Sequence, residues 1–105
     1  MKVSILLNLI KLLKPKSVVA DIGAYKKANI ILVDDSLSDR IDLNLSDKRY
    51  EDVEHKLSII EIKTRLEPLA TTDKHLYLFE KNGDLHAIAG FSYNEKNSTI
   101  TLLPV

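Results

Sequence analysis

Three histidines and a surplus of carboxylates over aromatic or sulfur groups are the residues that could do chemistry in this chain. His55 follows Glu51 by four positions and Asp52 by three. On a helix both spacings fall on one surface, where an imidazole and a carboxylate could share a cation. No second histidine, no cysteine and no H-E-x-x-H accompanies them, and a solvated helix face accounts for the group equally well. His75 and His86 fall on one face of an expected sheet with Tyr77. There His86 opposes Phe79 and His75 opposes Gly90, so the two imidazoles are not a cross-strand ligand pair. Neighbouring carboxylates such as Asp34 with Asp35, or Glu51 with Asp52, do acid–base work only in a cleft that drives their pKa values apart. No serine sits in a G-x-S-x-G elbow. Gly23, Gly83 and Gly90 are isolated, so neither a P-loop nor a dinucleotide fingerprint is present. Cysteine is absent, which removes disulfides, thiolate nucleophiles and Cys-based zinc sites. The sequence therefore predicts no catalytic residue, no metal and no cofactor.

Charge is more informative than any motif. Fifteen basic and fifteen acidic side chains cancel over the 105 residues, but they are segregated. Residues 1–33 carry six lysines against Asp21 alone. Residues 34–54 carry eight carboxylates against Arg40, Lys48 and Arg49. Residues 55–105 are balanced, with six of each sign. An aromatic sheet face with Tyr77 and Phe79 has the stacking groups for single-stranded nucleic acid, but lacks the positive surplus that tracking a phosphate backbone requires. Direct nucleic-acid binding is not expected. The acidic middle segment, in contrast, can steer a basic partner. Carboxylates at the start of a helix also favour its macrodipole, which explains part of the segment without any partner.

These groups must be positioned by a chain the size of one ordinary domain, spanning 1–105. Residues 2–13 read as a helix with a polar stripe of Ser4, Asn8 and Lys11; the rest of its circumference is apolar and needs cover, from the core or from a second copy. Val3 to Ile10 also resembles a short signal-peptide core, but Lys11, Lys14, Pro15 and Lys16 interrupt it and eight residues cannot span a bilayer, so a cytoplasmic protein without a membrane contact is expected. Ser17 to Ile22, between Pro15 and Gly23, fits a strand or a link.

Residues 28–34 and 39–45 predict a hairpin in which Leu32 faces Ile41, Ile30 faces Leu43 and Ala28 faces Leu45. Ser46 and Asp47 can cap a long helix over 47–66, with Tyr50, Val53, Leu57, Ile60 and Thr64 along one stripe. Ile60, Ile62, Thr64 and Leu66 alternate as well, so 58–66 also fits a strand. Asn82-Gly83 marks a second hairpin between 75–81 and 85–93, and 94–97 turns into a third strand over 98–103. Closing that hairpin on a two-residue turn puts Leu76, Leu78, Leu85, Ala87, Ala89, Phe91 and Tyr93 on one face and the histidines on the other. No internal repeat is visible.

The expected class is α+β: a single antiparallel sheet of about five strands with two helices packed on it, in the order α-β-β-α-β-β-β. That order resembles profilin-like domains, including PAS-type sensors and roadblock-type scaffolds. The resemblance is one of topology and carries no binding residue. The expected function is a small non-catalytic binding protein that occludes a basic protein partner, as toxin-immunity proteins and inhibitors of nucleases do. Carboxylates would stand where phosphates otherwise bind. The contact residues are Asp34, Asp35, Asp39 and Asp42, then Glu51, Asp52 and Glu54. The alternative is a dimeric profilin-like regulatory or scaffold domain, assembled through the first helix or the outer sheet face.

Overall fold

A computed structural model describes residues 1–23, 26–47 and 56–105. Their order is α1 (Val3–Leu13), β1 (Ser17–Asp21), β2 (Lys27–Asp34), β3 (Arg40–Leu45), α2 (Ile59–Leu66), β4 (His75–Phe79), β5 (Leu85–Asn94) and β6 (Thr99–Pro104). The α+β class holds, but the single antiparallel sheet does not. The six strands close into a barrel in sequence order. Two antiparallel meanders, β1-β2-β3 and β4-β5-β6, meet at two parallel seams, β3 with β4 and β6 with β1. Ser17 to Asp21 supplies the sixth strand; without it β6 would have no partner on that side and the barrel could not close.

The inward positions fill the barrel: Val18 and Ala20, Ala28, Ile30 and Val33, Ile41, Leu43 and Leu45, Leu76 and Leu78, Ile88, then Ile100 and Leu102, all buried. Helix α1 plugs one end. The Leu76 N–H donates to the Met1 carbonyl (2.7 Å) and the Lys16 N–H donates to the Ser98 carbonyl (2.7 Å). The helix thus runs from the start of β4 to the start of β1, which stand three staves apart. Eleven residues at about 1.5 Å each span that gap. Val3, Leu6 and Ile10, spaced i, i+3, i+7, turn into the barrel and are buried. Helix α2 packs on α1 and β2 through Ile62 and Leu66. No helix among the described residues is long and apolar enough to cross a membrane.

The expected long helix over 47–66 is not formed as one piece. Lys56 to Ser58 is non-helical and α2 begins at Ile59. Ser58 and Glu61 make a reciprocal capping box: the Glu61 N–H donates to Ser58 Oγ (3.1 Å), and the Ser58 N–H donates to Glu61 Oε1 (3.1 Å). That start signal decides residues 59–66 in favour of helix over strand.

Both hairpins close one to three residues away from the expected register. In the first, Val33 pairs with Leu43 and Asp34 with Asp42, and a bulge between Ile30 and Leu32 resets the alternation. Val33 is therefore buried and Leu32 is 44% exposed, the reverse of strict period 2. In the second, Leu78 pairs with His86 and Phe79 with Leu85. The loop has three residues rather than two, with Gly83 at φ +97°, a conformation open to glycine. One residue of slip exchanges the faces. His86 and Ile88 turn inward, while Leu85 and Ala87 join Tyr77 and Phe79 outside.

A repeat invisible in the sequence is plain in the pairing. Adding 58 to every β1–β2 pair reproduces the β4–β5 register: Val19 with Asn29 becomes Tyr77 with Ala87, and Ala20 with Ala28 becomes Leu78 with His86. The β2 bulge at Ile30/Leu32 recurs in β5 at Ile88/Gly90. The two parallel seams also superpose, Ile41 with Leu76 on Ile100 with Val18. The barrel has a two-fold pseudo-symmetry along its axis. Few residues match because only inward apolarity and local turn geometry are shared, and many side chains satisfy both.

Replacing fully buried Leu6 or Leu102 by alanine should cost about 3 kcal/mol in urea unfolding, and Ser58→Ala about 1 kcal/mol. A Ser58→Ala value as large as that of Leu6→Ala would mean that the box holds more than one helix end.

Candidate functional site

The strand directions put three features in different places. The β2–β3 and β5–β6 connections and helix α1 lie at one end of the barrel, and the β1–β2 and β4–β5 hairpins form a mouth at the other.

The acidic candidates begin at the helix-plugged end. Asp34 ends β2, and its Oδ1 accepts from the Ser36 N–H (3.0 Å) and the Ser36 hydroxyl (2.6 Å). This Asx turn holds the Asp34 carboxyl below its ordinary pKa, the hydroxyl contributing most and the backbone N–H next. Asp35 and Asp39 are exposed on the same connection. Asp42 behaves differently. It points out of the barrel from β3, but its side chain is only 5% exposed and is gripped by Arg40, Nε to Oδ1 2.8 Å and Nη2 to Oδ2 3.4 Å. Two residues apart on one strand, they share a face by necessity. The contact raises the Arg40 pKa and occupies both groups with each other. Lys74 reaches the loop from the segment before β4 and donates to the Leu37 carbonyl (2.8 Å), which brings one ammonium to the same connection. Asp34, Asp35 and Asp39 thus share one connection, and Asp42 is engaged within the chain. Glu51, Asp52 and Glu54, together with His55, lie outside the described residues.

The histidines separate. His75 is exposed at the plugged end, level with Arg40 across the β3–β4 seam. His86 is at the mouth, facing inward, with Nε2 2.6 Å from Glu80 Oε2. Both groups are partly buried, with side-chain exposures of 32% and 20%. The mouth opens on a cavity of about 240 Å³ that includes Ile22, Lys26, Ser46, Asp47 and Glu80. Sequence reasoning missed Glu80 and His86 as a pair because a two-residue turn would have put His86 on the outer face. The three-residue loop, Lys81 to Gly83, is what brings them together.

A second concavity lies where β5 leaves β4. Below Tyr77 and Ala87 the two strands no longer pair, and Met1 and Lys2 slot against His75 instead. The cleft left over, about 480 Å³, is mainly apolar and lined by Ile5, Ile88, Ala89 and Phe91 among others. Burial there lowers the pKa of the Met1 amine. Its counterpart across the pseudo-axis is taken by Leu57, whose N–H donates to the Ile30 carbonyl (2.9 Å). Phe91 (41%) and the outer face of α1, with Ile5 (48%) and Leu12 (77%), leave apolar surface exposed on this side.

Comparison of the chain with protein-family models, with curated proteins and with solved structures found no match.

Ser36→Ala should raise the Asp34 pKa toward the ordinary carboxylate range, measured by carboxyl-carbon NMR titration. A depressed carboxyl adds stability that is fully present above its unfolded-state pKa and is lost as pH falls through its folded value. The variant should therefore lose less stability than the parent on acidification. An unchanged Asp34 titration would show that the turn does not set its ionisation.

Proposed function

We propose that this chain is a small non-catalytic binding protein, acting in the cytoplasm, that occludes a basic protein partner of the nuclease-toxin kind. The observation that carries this reading is the grouping of Asp34, Asp35 and Asp39 on one connection, with the nearest arginine already engaged by Asp42. Arg40 still acts electrostatically on Asp34 and Asp39, but its direct hydrogen bonds go to Asp42. Ser36 holds the Asp34 carboxyl below its ordinary pKa, which favours its charged form. Such a field raises the rate of encounter with a cationic surface more than the final affinity. The loop sits on a rigid pair of strands, which lowers the ordering cost of presenting its carboxylates to a phosphate-binding groove.

Extract of the native host, passed over the immobilised chain at low salt, should yield a basic protein identifiable by mass spectrometry. Its association rate should fall roughly tenfold in the Asp35→Asn/Asp39→Asn variant and fall likewise for the parent at high salt. A partner that binds the variant at the parental rate, or with no salt dependence, would overturn the role of the loop.

A second reading is favoured by the outer face of α1. Leu12 at 77% exposure and Ile5 beside Phe91 are apolar groups that a second copy could cover, giving a dimeric scaffold. The open profilin-like sheet expected for such a scaffold is replaced by a closed barrel, so assembly would use the helix rather than a sheet edge. Sedimentation equilibrium distinguishes the two readings: a dimer that Leu12→Lys converts to monomer supports the scaffold, and a monomeric parent removes it.

A further inference from the structure

We infer that the barrel mouth holds a divalent-cation site made by Glu80, Asp84 and His86, suited to zinc or a similar borderline ion. One ligand atom from each residue lies within 4.8 Å of the others, the single such convergence of histidine and carboxylates among the described residues. All three come from the β4–β5 hairpin, so their spacing is set by one turn. The Glu80 N–H donates to the Asp84 carbonyl (2.9 Å) and the Gly83 N–H donates to the Glu80 carbonyl (2.9 Å), which closes the loop. Asn82 then holds Asp84 from both sides. Its Nδ2 donates to Asp84 Oδ2 (3.0 Å), and its Oδ1 accepts from the Asp84 N–H (3.0 Å). Asp84 Oδ1 is left available. A ligand carboxylate oriented in this way loses less freedom when an ion arrives.

The first half of the barrel is an internal control. At the equivalent hairpin the Ile22 N–H donates to the Lys26 carbonyl (3.1 Å), the same closure as Glu80 to Asp84. The residues in the positions of Glu80, Asp84 and His86 are there Ile22, Lys26 and Ala28. The strand pairing and its closing hydrogen bond form there with an apolar, a basic and a small side chain. Neither fold geometry nor packing therefore calls for two carboxylates and an imidazole in the second copy. His86 in particular takes an inward position whose twin is a fully buried alanine.

The donor set selects the ion. One imidazole and two carboxylates suit Zn²⁺ and its first-row neighbours, whereas Mg²⁺ and Ca²⁺ prefer oxygen alone. Three protein ligands leave a fourth position open to water. Glu80 Oε2 and His86 Nε2 are hydrogen-bonded at 2.6 Å, and tetrahedral ligands about one ion stand roughly 3.3 Å apart, so binding asks the two side chains to part slightly. Lys26 and Lys81 line the adjoining cavity and match the two ligand carboxylates in number, so a bound dication would leave the mouth net positive.

Isothermal titration of the tag-free 105-residue chain with Zn²⁺ tests the site. One ion per chain is expected, with binding retained in millimolar Mg²⁺. His86→Ala, which copies the alanine of the first half, and Asp84→Asn, at an exposed position, should each weaken binding at least about tenfold. His75→Ala and His55→Ala should bind as the parent does, and only the His86 ring resonances should move in NMR spectra. Parental affinity in both His86→Ala and Asp84→Asn, uptake abolished by Mg²⁺, or no uptake by a parent that is folded by circular dichroism would each overturn the assignment.

Discussion

Closure of the sheet is the constraint from which the rest of the structure follows. Two three-stranded meanders can be made from short hairpins, but joining them at both sides requires two parallel seams. A parallel seam cannot be turned tightly; the chain must travel back along the barrel before it starts the next strand. The segment containing α2 makes that return between β3 and β4, and α1 leads into β1 on the plugged side. Helical material therefore gathers at one end and seals it, while the hairpin tips surround the other. A closed sheet also removes the unpaired edges through which strands add to one another, so recognition falls to loops, helix faces and the mouth.

This geometry sorts the polar residues more sharply than their order along the chain does. Arg40 and Asp42 look like two members of a charged run, yet the pleat puts them side by side and they satisfy one another. Asp34 is bent back onto Ser36. Among the described residues, the carboxylates of the β2–β3 connection without an arginine hydrogen bond are Asp34, Asp35 and Asp39. At the opposite end a polar group enters the barrel where its symmetry mate is alanine, and local geometry rather than local composition makes that position distinctive.

Much of the architecture was legible because hydrophobic alternation and turn residues are local signals. The meander over 75–103, the existence of the 28–45 hairpin and a helix near the N-terminus all follow from them. The α2 start was readable too, since Ser58 and Glu61 have the spacing of a capping box, but the Ser46-Asp47 pair competed for the same role. Registers were less accessible. A bulge adds a residue without changing composition, and Leu32 and Val33 are equally apolar, so nothing in their types tells which faces the core. Asn82-Gly83 announces a turn but not whether Lys81 belongs to it, and that single residue decides the orientation of His86. Closure itself was illegible, because pairing Val18 with Ile100 depends on the shape of the completed sheet rather than on any neighbourhood in the chain.

The seam between β1 and β6 has a kinetic meaning. It ties Ser17 to Thr99 by a side-chain hydrogen bond as well as by backbone pairing, across 82 positions of sequence. Bringing such distant segments together costs loop entropy before any contact repays it, which slows the search for the native state. On the ribosome the first meander must wait, with Val18 and Ala20 lacking their neighbours, until the stave that covers them has emerged. Until β6 is in place the flank of β1 stays open, and an open strand flank of this kind is a route by which incompletely folded chains associate.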